Sequence, residues 1–180
     1  MPRTRTDTDR ETKVAEILDV ADRRLREGGY EALSVAAIAR ELSLAQNAVY
    51  WYFPSKDHLF VAAVERMLHD MAASKPPSRG GVARQVTWFT DQLAELQHVR
   101  AALYERARSS EVVAKFVADL NATWRRMLSH ALSDSVPEAE RPMAVEALIA
   151  TIQGVLLQEH SAAERRRLIG FAVERLTRAV

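Results

Sequence analysis

The sequence predicts an all-α protein of about nine helices. Apolar residues recur at spacings of three and four along nearly the whole chain, and no strand-length alternation interrupts them. Capping and breaking residues stand where these stripes begin and end. One dense cluster of Ser, Lys, Pro, Arg and Gly, residues 74–81, marks a boundary. We therefore predict a small head at residues 1–54, a linking helix at 55–73 and a helical body at 80–180.

Composition fits a soluble globular protein. Of the 180 residues, 48% are apolar and 27% are charged, and the formal net charge is +1. No apolar run approaches the roughly 20 residues that span a bilayer, and the N-terminus carries no apolar stretch of a signal peptide. The chain has no cysteine, which excludes disulfides, thiol nucleophiles and cysteine metal sites. We expect a cytoplasmic protein that is not associated with a membrane.

The first helix is predicted from about Asp9 to Glu27. Its apolar stripe consists of Val14, Ile17, Leu18, Ala21 and Leu25. Thr8 and Glu11 have the spacing of a capping box at its start. The pair Gly28-Gly29 ends it, because glycine readily adopts the left-handed conformation that follows a helix.

Three further helices complete the predicted head and its link to the body. Ser34 is a good N-cap for a short second helix, whose apolar face comprises Val35, Ile38, Ala39 and Leu42. After a tight turn, a third short helix spans about Ala45 to Tyr52, and Pro54 ends it. Ser55 caps a fourth helix that carries Phe60, Val64, Met67 and Met71.

Five more apolar stripes predict the helices of the body, at about residues 82–96, 99–107, 113–131, 145–156 and 162–176. Ser161 and Glu164 form a capping box before the last of them. The start of the helix before it has two readings, because Pro142 suits a first turn and would kink a helix further in.

Two short helices joined by a tight turn, with a supporting helix on each side, are typical of a DNA-binding helix-turn-helix. At about 100° per residue, the third helix turns Ala45, Val49 and Tyr52 to one side. The other side carries Gln46, Asn47 and Tyr50. Gln and Asn amides can pair with adenine in the major groove, and a Tyr hydroxyl can reach a base or a phosphate. This outward face is therefore suited to reading DNA.

Other predicted DNA contacts surround that face. Trp51 lies at its rim, Lys56 can reach the DNA backbone, and the second helix offers free amides at Ser34. The predicted DNA-binding residues are Ser34, Gln46, Asn47, Ala48, Tyr50, Trp51 and Lys56. Arg40 is a further backbone candidate. Arg3 and Arg5 have two readings, an arm in the minor groove or a solvated tail.

The charge of the head argues against a basic DNA-binding stripe. Residues 1–72 contain ten Lys and Arg residues against twelve Asp and Glu residues. Much of this negative charge lies at predicted helix starts (Asp7, Asp9, Glu11, Asp57), where it favours the helix dipole. We therefore expect few placed contacts, modest non-specific affinity and a shallow salt dependence.

The stretch from Ala45 to Leu59, AQNAVYWYFPSKDHL, closely resembles the recognition-helix signature of the TetR family of bacterial regulators. Its Tyr-x-(Tyr/His)-Phe-x-x-Lys core and the following Leu all match. Residues 29–35 and 38–42 also look like that family's second helix and its approach, so the resemblance covers about residues 10–70. Ser43 stands where the family commonly has Gly, and Ala45 stands where a Ser or Thr often caps the helix. Both departures concern the turn and the cap, and neither removes the fold.

The resemblance implies a homodimer that binds a near-palindromic operator, represses transcription and is released by a small-molecule effector. Aromatic and polar residues of the body are candidates to line the effector pocket, namely Trp88, Phe89, Tyr104, Phe116, Asn121, Trp124 and Gln153. Thr151 and His130 are further polar candidates. Any of the aromatic residues has an equally good reading as ordinary core.

The last two helices are apolar over wide stripes, which favours dimerisation there. Gly154 would let a neighbouring helix approach closely. The interface candidates are Leu148, Ile152, Val155, Leu156, Leu168, Ala172 and Leu176. The alternative is that these stripes are buried only against the chain's own core.

No catalytic, cofactor or metal site is predicted. Glu95 and His98 have the spacing found in carboxylate-bridged metal bundles, but such bundles need that motif twice and two further carboxylates. Nucleophile-elbow and phosphate-loop motifs are absent from the sequence. The remaining alternative to a DNA-binding regulator is a helical protein-interaction module that does not touch DNA.

Overall fold

A computed structural model describes residues 5–74 and 81–177 of the chain, with side chains described from residue 9 onward. Within these ranges the chain forms nine α-helices and no β-strand, which confirms the predicted all-α class. The helices are α1 (Arg5–Ala32), α2 (Val35–Glu41), α3 (Gln46–Tyr52), α4 (Lys56–Ala73), α5 (Gly81–Glu95), α6 (Gln97–Arg106), α7 (Glu111–Ala131), α8 (Arg141–Leu157) and α9 (Ala162–Thr177).

The chain packs as two compact units. The first comprises Met1–Asp70 and His98–Val117, and the second comprises Met71–Gln97 and Ala118–Val180. Helix α6 and the start of α7 therefore pack with the N-terminal helices. The predicted boundaries at residues 54, 73 and 80 divide the chain by expected role rather than by packing, and they stay predictions.

Helix α1 differs from its prediction at the start and agrees with it at the end. It begins at Arg5, so Thr8 and Glu11 lie inside the helix, and the predicted capping-box start is wrong. The three-residue spacing of Thr8 and Glu11 also occurs between residues inside a helix, so it does not by itself mark a helix start. At the other end Gly28 and Gly29 leave helical geometry, and Gly29 has φ = 63°. The predicted break is confirmed.

The helix-turn-helix forms from α2 and α3. Ser34 is the N-cap of α2, and its Oγ accepts a hydrogen bond from the Ala37 amide at 3.3 Å. In the turn, Ser43 has φ = 54°, the left-handed conformation that glycine adopts more easily. Ala45 is the N-cap of α3 and makes no side-chain cap bond. The two predicted departures, a strained Ser43 and an uncapped α3, are both present.

We expect Ser43→Gly to stabilise the chain by about 0.5–1 kcal/mol. Relief of left-handed strain outweighs the greater backbone entropy of glycine in the unfolded chain. Urea unfolding followed by circular dichroism measures the difference. Ser74→Gly, in an exposed turn after α4, is the control and is expected to give no gain. A destabilised Ser43→Gly variant would show that the Ser43 side chain contributes more than its conformation costs.

The second unit has a core formed by α5, α8 and α9, with the end of α7 beside it. Its buried residues are Val86, Leu132, Val136, Ala144, Val145, Leu148, Ile152, Val155, Ile169 and Val173. Helix α8 starts at Arg141 with Pro142 in its first turn, so the first of the two readings of Pro142 holds. The capping box of α9 is confirmed, because the Ser161 amide donates to Glu164 Oε2 at 2.9 Å and the Glu164 amide donates to Ser161 Oγ at 3.3 Å.

Candidate nucleic-acid interface

Helix α3 presents a polar and aromatic face to solvent and is anchored by a buried one. Val49 is fully buried, as predicted, and Tyr52 is half-buried. Gln46 and Asn47 are exposed, and Tyr50 is 38% exposed. Ala45, which was expected to point inward, is exposed because it lies at the N-cap before the helix turns begin. The face that the sequence assigns to DNA is therefore accessible.

The other predicted contacts differ in accessibility. Ser34 and Arg40 are exposed, whereas Ala48 is half-buried. Arg3 lies outside the described residues, and the side chain of Arg5 lies outside them as well. The two readings of these arginines stay open as predictions.

Trp51 is the most exposed aromatic residue of the helix, at 67%. Its ring packs edge-on against Tyr52, with ring centroids 4.8 Å apart. The guanidinium carbon of Arg10, on α1, lies 5.3 Å from the centre of the Trp51 ring. This cation–π contact places an exposed cation at the rim of the α3 face. Sequence reasoning missed Arg10, since no local pattern relates it to a residue 41 positions away.

Lys56 begins α4, and its position depends on Tyr30. The Lys56 Nζ atom lies 3.9 Å from the centre of the Tyr30 ring. The Tyr30 hydroxyl donates a hydrogen bond of 2.6 Å to Asp57 Oδ1. Its ring also packs edge-on against the fully buried Phe60, with centroids 5.0 Å apart. The aromatic ring thus holds the ammonium group that was predicted to reach the DNA backbone.

Arg106, near the end of α6, closes this cluster. Its Nη2 donates to Asp57 Oδ2 at 2.8 Å and its Nε donates to Oδ1 at 3.2 Å. Such a bidentate pair fixes both partners in direction as well as distance. The cluster of Tyr30, Lys56, Asp57 and Arg106 therefore ties the first turn of α4 to the end of α1 and to α6, all within the first unit.

The pKa values of the cluster follow from these contacts. Burial raises the pKa of Asp57, but hydrogen bonds from Arg106, Tyr30 and Ser110 outweigh it and lower the pKa to about 2. Burial and the bond to Asp57 raise the pKa of Tyr30 to about 12. Asp57 therefore stays a carboxylate and Tyr30 stays a neutral donor over the physiological range.

We expect Asp57→Asn to lower the free energy of unfolding at pH 7 by about 2 kcal/mol. The folded pKa of Asp57 lies below the ordinary value of 3.8, so this stabilisation is complete above about pH 4 and is lost as pH falls towards 2. Urea unfolding of both proteins from pH 7 to pH 2.5 measures the difference, which should shrink with acid. Asp70→Asn, exposed on the same helix, is the control. A difference that is constant with pH would contradict this assignment.

Intramolecular ion pairs engage several carboxylates of the first unit. Glu41 accepts hydrogen bonds from both Arg23 and Arg24, which links α1 to α2. Asp19 pairs with Arg66 at 2.8 Å. Together with the pair of Asp57 and Arg106, these contacts neutralise several carboxylates inside the first unit.

The predicted pocket residues fall in both units. Phe89 and Trp124, in the second unit, are half-buried and in ring contact, with centroids 3.9 Å apart. Trp88 and Asn121 are also half-buried there, while Gln153 is exposed. Tyr104, which is 49% exposed, and the half-buried Phe116 belong to the first unit. The effector pocket stays a prediction.

A family model of bacterial regulatory proteins of the tetR type matches residues 17–63, which include α2, α3 and the buried start of α4. The HTH-type transcriptional repressor KstR of Rhodococcus jostii is 30% identical over an alignment of 146 residues, which covers 76% of this chain and 66% of that protein. The chain is a member of the TetR family.

Other relatives extend this family assignment along the chain. The regulator BetI of Rhizobium meliloti is 25% identical over 153 residues, covering 79% of this chain and 75% of that protein. KstR of Mycolicibacterium smegmatis is 44% identical over 50 residues, which is 24% of its length. These relatives are named as regulators of transcription, which points away from an enzyme.

Solved structures of transcriptional regulators share the fold of more than nine-tenths of the chain. A transcriptional regulator from Rhodococcus sp. has a TM-score of 0.76 at 22% identity, covering 92% of this chain and 96% of that one. A regulator from Saccharomonospora viridis in complex with choline has a TM-score of 0.70 at 16% identity, covering 91% and 96%.

The predicted dimer residues of this TetR-family chain occupy two environments. Leu148, Ile152 and Val155 are buried in the core of the second unit, so they do not face outward. The half-buried Leu156 and Leu176 pack against that core, Ala172 is half-buried, and Leu168 is 41% exposed. Of the predicted residues only Leu168 belongs to the exposed apolar surface of α8 and α9, which otherwise consists of Met143, Leu157 and Phe171.

Other site types find no support in the part of the chain that the structure describes. No group of three or more His, Cys, Asp or Glu side chains is arranged to hold a metal ion within these ranges. Glu95 and His98 are both exposed. In the same ranges no helix combines the length and apolar character needed to cross a bilayer.

Proposed function

We propose that the chain is a transcriptional regulator that recognises a DNA operator with the exposed face of α3. One observation carries this proposal: Gln46, Asn47 and Tyr50 are accessible on a short helix whose opposite side is locked by the fully buried Val49. Membership of the TetR family and the repressor names of relatives support the same role.

The proposed contacts divide into those that specify and those that position. The Gln46 and Asn47 amides can each offer a donor and an acceptor to the edge of adenine in the major groove. Arg10, Lys56 and the α2 amides near Ser34 would meet phosphates, which fixes the register on the duplex without reading sequence. Few phosphate contacts imply a shallow salt dependence of affinity.

Arg10→Ala is expected to weaken binding to every DNA sequence by a similar factor. Its guanidinium lies at the rim of the α3 face, over the Trp51 ring, where we place it against a phosphate, so the slope of log affinity against log salt should become shallower by about one. Fluorescence anisotropy with one operator duplex and one random duplex, at several salt concentrations, measures this. Arg26→Ala, which removes an exposed cation near the other end of α1, is the matched control. Loss confined to the operator would mean that Arg10 reads sequence.

We further propose that the operator-binding form is a homodimer joined through α8 and α9. Helix α8 buries one side in its own core, yet its other side is also apolar. That outer stripe, which we call the α8 stripe, consists of Met143, Ala147, Ala150, Gly154 and Leu157. Met143 is 75% exposed and Leu157 is 87% exposed. Helices that are apolar on both sides are typically buried on both sides.

Gly154 strengthens the dimer proposal. A Cβ atom built at this position meets nothing within 4 Å, so the packing of the chain itself does not require glycine there. Glycine inside a helix costs up to about 1 kcal/mol relative to alanine. Close approach of a second helix to the α8 stripe gives that cost a physical reason, and a two-fold axis through the stripe would join two operator half-sites.

We infer that a small-molecule effector controls DNA affinity through the body. The solved relative that contains choline supports effector binding for this fold. In this chain the contact of Phe89 and Trp124 offers an aromatic surface in the second unit. A bound effector would favour a dimer geometry whose two heads no longer match adjacent half-sites.

Binding to DNA that flanks the chain's own gene tests the proposed function. Fluorescence anisotropy should show tighter binding to a flanking duplex that contains an inverted repeat than to a scrambled duplex of equal length. Addition of an effector should abolish this tighter binding to the flanking duplex. Equal binding to both duplexes, together with retention of protein partners on immobilised chain, would favour the helical protein-interaction module instead.

A further inference from the structure

An open depression lies in the second unit, between the end of α7 and the start of α8. Its volume is about 460 Å³. The side chains that line it are Arg125, Arg126, Ser129, His130, Ser133 and Arg141. Three guanidinium groups, an imidazole and two hydroxyls thus converge, and no carboxylate is among the described residues that line it. The chemistry of the depression is that of an anion site.

Two of the three guanidinium groups are oriented by neutral acceptors. Arg126 Nη2 donates to Thr123 Oγ1 at 2.9 Å. Arg141 Nη2 donates to the carbonyl oxygens of Ser133 and Val136, both at 3.3 Å. These bonds fix the direction of each guanidinium without cancelling its charge, as a carboxylate would.

Two carboxylates near the depression have partners of their own. Glu146 pairs with Arg125, with Nε to Oε1 at 2.6 Å and Nη2 to Oε2 at 3.3 Å. The Ser133 hydroxyl donates chiefly to the His130 carbonyl oxygen at 2.8 Å, with Asp134 Oδ1 as a second, longer acceptor at 3.3 Å. After these contacts are counted, the charges of Arg126 and Arg141 still face the depression.

Arg141 also carries an unanswered donor. Its Nε atom is buried and has no hydrogen-bond partner among the described residues. A buried donor without an acceptor is costly, and turning the guanidinium toward an oxyanion in the depression would relieve that cost. The planar guanidinium fork matches the spacing of two oxygens on one phosphorus atom.

We propose that this depression binds a phosphate-bearing small molecule. More than one cation converges on it, which favours a multiply charged phosphate over a single carboxylate. The depression is open and exceeds the size of a bare phosphate ion, so it leaves room for the organic part of a phosphate ester. Because the site is open and polar, its affinity depends on charge and falls with salt. The inference is independent of DNA recognition by α3.

Isothermal titration calorimetry of the full chain tests this site, with pyrophosphate and inorganic phosphate as probes at constant ionic strength. We expect binding by the unmodified chain and about tenfold weaker binding by Arg126→Gln and by Arg141→Gln. Arg167→Gln, which removes the same charge from an exposed position on α9, should bind as the unmodified chain does. Thermal unfolding by circular dichroism checks that each variant is folded. If Arg141→Gln does not fold, Arg126→Gln alone still tests the site.

Three results would overturn the proposal. The first is that neither probe binds the unmodified chain. The second is that Arg167→Gln weakens binding as much as Arg126→Gln does, which would show unspecific charge attraction. The third is that Arg126→Gln weakens binding to a random DNA duplex while phosphate probes do not bind, which would assign the cations to the duplex backbone.

Discussion

Tyr50→Ala is expected to lower operator affinity by at least about 2 kcal/mol, roughly thirtyfold, and to leave the fold intact. Tyr50 is the largest side chain on the proposed base-reading face, and at 38% exposure it is only partly buried in the free chain. Its removal therefore costs contacts to DNA while the core anchored by Val49 is untouched. Fluorescence anisotropy with the operator measures affinity, and circular dichroism measures folding.

Tyr104→Ala is the matched control for this variant. It removes the same side chain from a more exposed position, 49% exposed on α6, outside the proposed interface. Tyr50→Phe separates the hydroxyl from the ring, and an intermediate loss would assign part of the effect to a hydrogen bond. If Tyr50→Ala unfolds the first unit, or if Tyr104→Ala loses operator affinity equally, Tyr50 has no specific role in DNA recognition.

Ala150→Glu is expected to convert the dimer into a monomer. Ala150 is exposed in the middle of the α8 stripe, so a longer polar side chain there is tolerated by the single chain. At a two-fold interface the two new carboxylates would lie close to each other and lose solvent. An unpaired buried charge costs about 3–5 kcal/mol, which raises the dissociation constant of the dimer by more than about a hundredfold.

Operator affinity should fall when the dimer dissociates into monomers. Two linked heads bind adjacent half-sites with an advantage of about 10²–10⁴ over a single head, and a monomer loses that advantage. Analytical ultracentrifugation gives the oligomeric state, and anisotropy gives affinity for the operator and for an isolated half-site. Ala101→Glu, the same substitution at an exposed position on α6, should remain dimeric. A dimeric Ala150→Glu protein would place the interface away from the α8 stripe.

Helix positions were largely predictable because they depend on local periodicity and capping. The apolar stripes located the nine helices of residues 5–74 and 81–177, and the signals at Ser34, Gly29 and Ser161 matched the observed caps and break. The start of α1 was mistaken, since the spacing of Thr8 and Glu11 also fits residues within a helix. Periodicity and capping residues therefore predicted the presence of each helix better than they predicted the first residue of a long helix.

Features that depend on distant residues were not predictable. Arg10 contacts Trp51 only because the fold of the first unit brings α1 close to α3. Arg106 contacts Asp57 only because the same unit brings α6 close to α4. The same limit applies to α8. The spacing of its apolar residues predicts an apolar helix, but it does not predict which side of that helix packs against the core of the second unit. Leu148, Ile152 and Val155 were expected at an interface and lie in that core instead.

Selection of bound duplexes from a random DNA library by the full chain, repeated with Asn47→Ala, tests base reading by α3 most directly. We expect the unmodified chain to enrich a near-palindromic sequence and the variant to lose preference at one base pair in each half-site, with a cost of about 1–3 kcal/mol there. Enrichment of the identical sequence by both proteins, or of no sequence by either, would contradict recognition through that helix.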